Sequence, residues 1–84
     1  MKENVLEELI SAVEEQISTN NPKETKVTYQ KLIHKGDTPR KAKEKIANII
    51  YIETMAIIKT QQPFNRARYI RNLERLVEDE FPIM

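Results

Sequence analysis

Apolar residues recur along this chain at spacings of three and four, the pattern of an α-helix with one buried face. Prolines and the single glycine divide the pattern into four segments, predicted as helices over about residues 3–19, 22–35, 39–60 and 65–80. No segment alternates with period two, so no strand is predicted. The short connections indicate antiparallel neighbours. We therefore predict an all-α fold, a compact bundle of four helices that forms a single domain over residues 1–84.

Local signals mark where these helices begin and end. Asn21 is suited to cap the second helix with Pro22 as its first residue, and Thr38 and Asn65 are suited to cap the third and fourth. Gly36, the only glycine of the chain, falls where the second helix needs a left-handed residue after its end. The same spacing predicts the inward residues of the other three helices. These are Leu6, Leu9, Ile10, Val13, Ile17, Val27, Leu32, Ile33, Tyr69, Ile70, Leu73, Leu76 and Val77, with Phe81 folding back onto the fourth helix.

The third helix is apolar almost all the way round, which is typical of a central helix. One face combines Glu53 with the apolar residues Ala42, Ile46, Ile49, Ile50 and Ile57. The opposite face carries Tyr51, Met55 and Ile58. This opposite face either meets another helix of the same chain or is a surface for self-association or for a protein partner.

Glu53 is a carboxylate on the most apolar face of the chain. Burial of an unpaired carboxylate is costly, so the sequence predicts a buried polar contact. The candidate partners are the hydroxyls of Thr28, Tyr29 and Tyr69 and the guanidinium of Arg68. Two other interpretations stay open: that Glu53 is less buried than its position indicates, and that it binds a ligand. A single acid without a second group and a cleft does not make a catalytic site.

The net charge is only +1, but it is −4 over residues 1–22, +8 over residues 23–75 and −3 over residues 76–84. The candidate anion-binding residues of the basic middle are Lys35, Arg40, Lys41, Lys43, Lys45, Arg68, Arg71 and Arg75. Four of them lie at the start of the third helix, where a helix already carries partial positive charge and backbone N–H groups that favour an anion. These residues predict contacts with nucleic acid or another polyanion.

The alternative is that the basic side chains pair inside the fold. Glu3, Glu7 and Glu14 flank the apolar stripe of the first helix, where they are expected to reach the arginines of the fourth helix. Arg75 is also followed by Glu78 and Asp79 at spacings of three and four, which favours pairing within the helix.

Cap and core residues from position 21 onward carry a family pattern. They are Asn21-Pro22-Lys23-Glu24-Thr25-Lys26, Thr28-Tyr29, Leu32-Ile33, Gly36, Ala42, Ile46 to Glu53, Pro63-Phe64-Asn65, Arg68-Tyr69 and Leu73. In these residues the chain resembles a group of small bacterial helical proteins known as a domain of unknown function, over about two-thirds of its length. The resemblance implies an all-helical fold and no catalytic residue. Members of that group carry acidic residues at the start of the third helix, where this chain has Arg40, Lys41, Lys43 and Lys45.

Several kinds of chemistry lack their residues here. Without cysteine there is no disulfide, thiolate nucleophile or Cys-ligated zinc, and the cytoplasm is the expected setting. His34 is the only histidine and is interpreted as a surface residue near a helix end, and one glycine cannot form a phosphate-binding loop. We expect no signal peptide and no membrane contact.

The sequence therefore predicts a non-enzymatic protein without a cofactor, metal or catalytic residue. It favours protein–protein interaction or self-association, for example as a homodimer, through Tyr51, Met55 and Ile58. Binding of nucleic acid or another polyanion is the alternative.

Overall fold

A computed structural model describes residues 3–78, with the backbone alone described for residue 3. It contains four α-helices, α1 (Glu3–Thr19), α2 (Lys23–His34), α3 (Pro39–Thr60) and α4 (Arg66–Val77). Over this range there is no strand, and the radius of gyration is 12.1 Å. The predicted all-α bundle of four helices is confirmed. The bounds of α1 and α3 are as predicted, and those of α2 and α4 differ by one to three residues. The predicted positions of Asp79, Glu80 and Phe81 lie outside the described residues.

Two predicted N-caps are confirmed. Thr38 Oγ1 accepts a hydrogen bond of 3.1 Å from the backbone N–H of Lys41 at the start of α3. Asn65 Oδ1 accepts one of 2.9 Å from the backbone N–H of Arg68 at the start of α4. Each bond satisfies an amide that the first turn of a helix leaves without a backbone partner.

Gly36 ends α2 as the sequence predicts. Its φ of 114° is a conformation that side chains with a Cβ rarely adopt. The N–H groups of Gly36 and Asp37 donate to the carbonyl oxygens of Ile33 and Leu32, at 3.0 and 3.1 Å. This is the hydrogen-bond pattern of a Schellman motif, which satisfies the last carbonyls of the helix and turns the chain toward α3.

The predicted cap of α2 is wrong. Pro22 itself is the N-cap residue, in an extended conformation, and no side chain caps the first turn. Asn21 lies one residue before the N-cap position of α2. Its own N–H still belongs to the end of α1, because it donates to the carbonyl oxygen of Gln16 at 3.1 Å. The amide of Thr25 bonds instead to the carbonyl oxygen of Pro22, at 3.1 Å.

The central position predicted for α3 is also observed, but α2 shares it. Each of these two helices packs against the other three, whereas the backbones of α1 and α4 do not approach each other and these helices contact through the side chains of Gln16 and Tyr69. Helices α2 and α4 run in the same direction, because Glu24 pairs with Arg66 at their starts and Lys35 contacts Val77 at their ends. With 22 residues, α3 is about 33 Å long, whereas α2 and α4 have 12 residues each and are about 18 Å long. Helix α1, with 17 residues, is also shorter than α3, so α3 is the longest of the four described helices.

The core is formed by residues of all four helices. Its fully or almost fully buried apolar members are Ile10, Val13, Leu32, Ala42, Ile46, Ala47, Ile49, Tyr69, Leu73 and Leu76. Val27 was expected inward, but 43% of it is exposed. Helix α2 is rotated so that Thr25 and Thr28 are buried beside Leu32. The three residues have the spacing i, i+3, i+7 and form the inward face of α2. This face was not predicted because two of its three residues are polar.

Candidate functional site

Glu53 is buried and paired with Arg68. Its side chain is 2% exposed, and its carboxylate accepts two hydrogen bonds from the guanidinium, from Nε at 2.8 Å to Oε2 and from Nη2 at 2.9 Å to Oε1. Of the four candidate partners that the sequence offered for Glu53, the structure therefore shows Arg68. The two parallel bonds raise the pKa of Arg68 above its ordinary value. The pair joins the middle of α3 to the first turn of α4, and 46% of the Arg68 side chain remains exposed.

A second buried polar group joins the other helices. The hydroxyls of Thr25 and Tyr69 each lie within hydrogen-bonding distance of Gln16 Oε1, at 2.8 and 2.9 Å, and 3.1 Å from one another. This triangle links α1, α2 and α4. Burial raises the pKa of Tyr69, partly offset by its hydrogen bond with Thr25. From the sequence, Tyr69 was a candidate partner of Glu53, Thr25 was named only within the family pattern, and Gln16 was not identified.

The basic residues at the start of α3 are largely paired with acids. Arg40 donates to Glu7 of α1 at 2.6 Å and to Glu44, one turn along α3, at 3.0 Å. Lys43 bonds Glu14 at 3.0 Å, and Lys45 bonds Asp37 at 2.8 Å. These contacts account for three of the four cations that the sequence placed together as a candidate anion site.

The acids of α1 therefore pair with a different helix from the one predicted. Glu7 and Glu14 contact α3, not the arginines of α4, because the backbone of α1 lies close to that of α3 and does not approach that of α4. The hydrogen bonds with Arg40 lower the pKa of Glu7, and the bonds with Glu7 and Glu44 raise that of Arg40. The side chain of Glu3, the third predicted acid, lies outside the described part of the molecule.

The remaining candidate cations do not behave alike. The ammonium of Lys35 donates to the carbonyl oxygen of Val77, and Arg75 also has a partner. Lys41 and Arg71 are exposed and make no ion pair within residues 4–78. The eight candidate residues are therefore distributed over separate contacts, most of which belong to the fold.

The predicted partner-binding face of α3 is partly exposed. Tyr51 and Met55 are half-buried, and Ile58 is 63% exposed, the most exposed large apolar side chain of the described residues. Ile52, on a neighbouring side of the same turn, is 39% exposed. We call Tyr51, Met55 and Ile58 the outer face of α3. No other helix of the described bundle fully covers it.

No arrangement typical of an active site is seen in the described part of the chain. His34 is exposed at the last residue of α2, and within residues 4–78 no group of three His, Asp or Glu side chains could hold a metal. Two open cavities lie at the surface of the described helices. One, of about 390 Å³, lies between α2 and α4 and is lined by Val27 and Val77 among others. The other, of about 430 Å³, lies at the turn between α3 and α4.

Comparisons with protein families, curated proteins and solved structures find no match to this chain. The resemblance to a small bacterial helical family therefore stays a prediction. Among the described helices, none is both long enough and apolar enough to cross a membrane.

Proposed function

We propose that this protein is a non-enzymatic helical module that acts through protein–protein contact at the outer face of α3. The observation that carries the proposal is the 63% exposure of Ile58, in line with Met55 and Tyr51 on α3, one of the two helices that pack against all the others. Single exposed apolar residues are ordinary on protein surfaces, but an apolar stripe on a helix commonly marks an interface. A second copy of the chain is the first partner to test, in the cytoplasm that the sequence favours.

The size of this face indicates weak association. Complete burial of an isoleucine side chain contributes about 1.5–3 kcal/mol, and roughly a third of Ile58 is already covered. Stable interfaces bury about 1,200–2,000 Å² in total, far more than three side chains supply. We therefore expect a dimer that forms only at high protein concentration and that involves polar residues around the stripe.

The alternative, polyanion binding, has less support from the geometry. Arg40, Lys43 and Lys45 would have to leave their carboxylate partners before they could contact phosphates. Lys41 and Arg71 are available, but two exposed cations are ordinary for a surface. Overall charge near neutral also favours the protein–protein interpretation.

Sedimentation equilibrium across micromolar to millimolar concentrations tests the proposal. We expect the mean mass of the wild type to rise above 9.9 kDa with concentration. Ile58→Lys is expected to abolish this rise. Val27→Lys, a matched substitution of an exposed apolar residue on α2, is expected to leave it unchanged. A mass that stays constant for the wild type, or that responds equally to both substitutions, would contradict self-association through α3.

A further inference from the structure

The cavity of about 430 Å³ at the turn between α3 and α4 contains two arginines and no acid among its lining residues. Arg68 and Arg66 are the cations, and Ile57, Pro63 and Phe64 supply apolar walls. Phe64 is 50% exposed although its ring packs against that of the buried Tyr69, with centroids 5.6 Å apart. A concave site with apolar walls and a few polar groups is the usual form of a small-molecule site.

Arg68 is held in place by Glu53 through two of its five N–H donors, which leaves three for other partners. A guanidinium has five N–H donors in a planar fork. Glu53 takes one from Nε and one from Nη2, which occupies one side of the fork. The end of the fork, formed by Nη1 and Nη2, still presents two parallel N–H groups, the arrangement that matches the two oxygens of a carboxylate. Because Glu53 bonds the side of the fork formed by Nε and Nη2, it fixes the guanidinium without blocking that end.

Arg66 supplies charge that the fold does not fully neutralise. The charge of Arg68 is balanced by Glu53, whereas Arg66 faces the carboxylate of Glu24 at 3.8 Å between Nη2 and Oε1. That separation is too long for a hydrogen bond, and the Arg66 side chain is 57% exposed. An anion at the cavity would therefore meet one oriented guanidinium and one whose charge is only partly compensated.

We propose that this cavity binds a small organic carboxylate, with its two oxygens on the free end of the Arg68 fork, its charge beside Arg66 and its apolar body against Phe64. The site is separate from the outer face of α3 and does not depend on self-association. The apolar walls favour an organic carboxylate over an inorganic anion, because an inorganic anion has no apolar surface to pack against them.

An NMR titration with three probes tests the proposal at constant ionic strength: benzoate, acetate and inorganic phosphate. The readouts are the backbone amides of residues 60–68 and the Nε–H of Arg68. We expect saturable shifts at these positions, with benzoate binding about two- to tenfold more tightly than acetate because its ring packs on Phe64. Absence of saturable shifts, equal affinity for benzoate and acetate, or tighter binding of phosphate would overturn the proposal.

Three variants separate the contributions without touching the Glu53–Arg68 pair. Phe64→Ala is expected to weaken benzoate about two- to tenfold and to leave acetate unchanged. Arg66→Gln is expected to weaken both. Lys41→Gln removes the same charge from an exposed position at the opposite end of the 22-residue α3 and is expected to change neither. If Lys41→Gln weakens binding as much as Arg66→Gln, the shifts report general charge attraction and the site is refuted.

Discussion

Replacing Gln16 by methionine is expected to destabilise the fold more than removing either hydroxyl that contacts it. Gln16 Oε1 lies 2.8 Å from the hydroxyl of Thr25 and 2.9 Å from that of Tyr69, and these hydroxyls lie 3.1 Å apart. Thr25 and Tyr69 are completely buried. Two hydroxyls carry only two hydrogens, so at most two of the three contacts are hydrogen bonds at one time. Without the amide oxygen the hydroxyls can bond only each other, and one buried hydrogen loses its acceptor.

The magnitudes follow from this difference. Thr25→Val replaces the hydroxyl by a methyl group of similar volume and leaves Tyr69 bonded to Gln16. It is expected to lower the free energy of unfolding by about 1 kcal/mol, the net contribution of one hydrogen bond. Tyr69→Phe leaves Thr25 bonded to Gln16 and is expected to cost about the same. Gln16→Met adds the penalty of an unsatisfied buried hydroxyl, for a total of about 2–4 kcal/mol. In a domain of this size each kcal/mol lowers Tm by about 4–8 °C.

Urea denaturation followed by far-ultraviolet circular dichroism measures these differences. Gln30→Met is the matched control, because Gln30 is exposed on α2 and its replacement is expected to change the free energy of unfolding by less than about 0.5 kcal/mol. The reasoning is refuted if Gln16→Met costs no more than Thr25→Val, or no more than the control. Either result would show that the amide oxygen is not the shared acceptor.

Two further predictions concern the charged pairs. Arg68→Met is expected to lower Tm more than Glu53→Met. The first substitution leaves the carboxylate of a side chain that is only 2% exposed without a partner, whereas the second leaves a guanidinium that water already reaches. Thermal denaturation showing the reverse order would contradict this account of the pair. Arg40→Gln is expected to return the pKa of Glu7 toward the ordinary value for a glutamate, measured from side-chain carboxyl NMR shifts. Since the pKa of Glu7 is lowered in the folded protein, its pairing stabilises the fold above the ordinary pKa, and this contribution is lost as pH falls through the lowered value. An unchanged pKa in the variant would show that Arg40 is not the cause.

The helices were predictable because their signals are local. Thr38, Gly36 and Asn65 act within one turn of their own position, and the structure confirms each of them. The prediction of Asn21 as an N-cap was wrong because two helix ends share the same few residues. The turn that closes α1 uses the amide of Asn21, and α2 begins only after Pro22.

Burial was predictable only where the inward face is apolar. The helical spacing of α3 correctly predicted that Glu53 faces inward, since five apolar residues share its face. On α2 the inward face includes Thr25 and Thr28, so the exposed Val27 appeared to be the better core residue. Threonine becomes a core residue when a partner such as Gln16 satisfies its hydroxyl, and that partner lies on another helix.

The ion pairs between side chains of different helices could not be predicted from the sequence. Any of four side chains was a chemically reasonable partner for Glu53, and the choice of Arg68 depends on how α4 packs against α3. The acids of α1 were equally able to pair with α3 or α4, and only the packing of α1 on α3 decides it. For the same reason the basic residues appeared as one candidate site, whereas the fold distributes them among separate carboxylates.

The most direct test of the central claim, that the outer face of α3 is a protein-contact surface, is a dilution series followed by backbone amide NMR shifts. From millimolar to micromolar protein, we predict concentration-dependent shifts centred on Tyr51, Met55 and Ile58, with little change in α2. Spectra that do not change with concentration, or shifts centred on α2 and α4, would contradict self-association through this face.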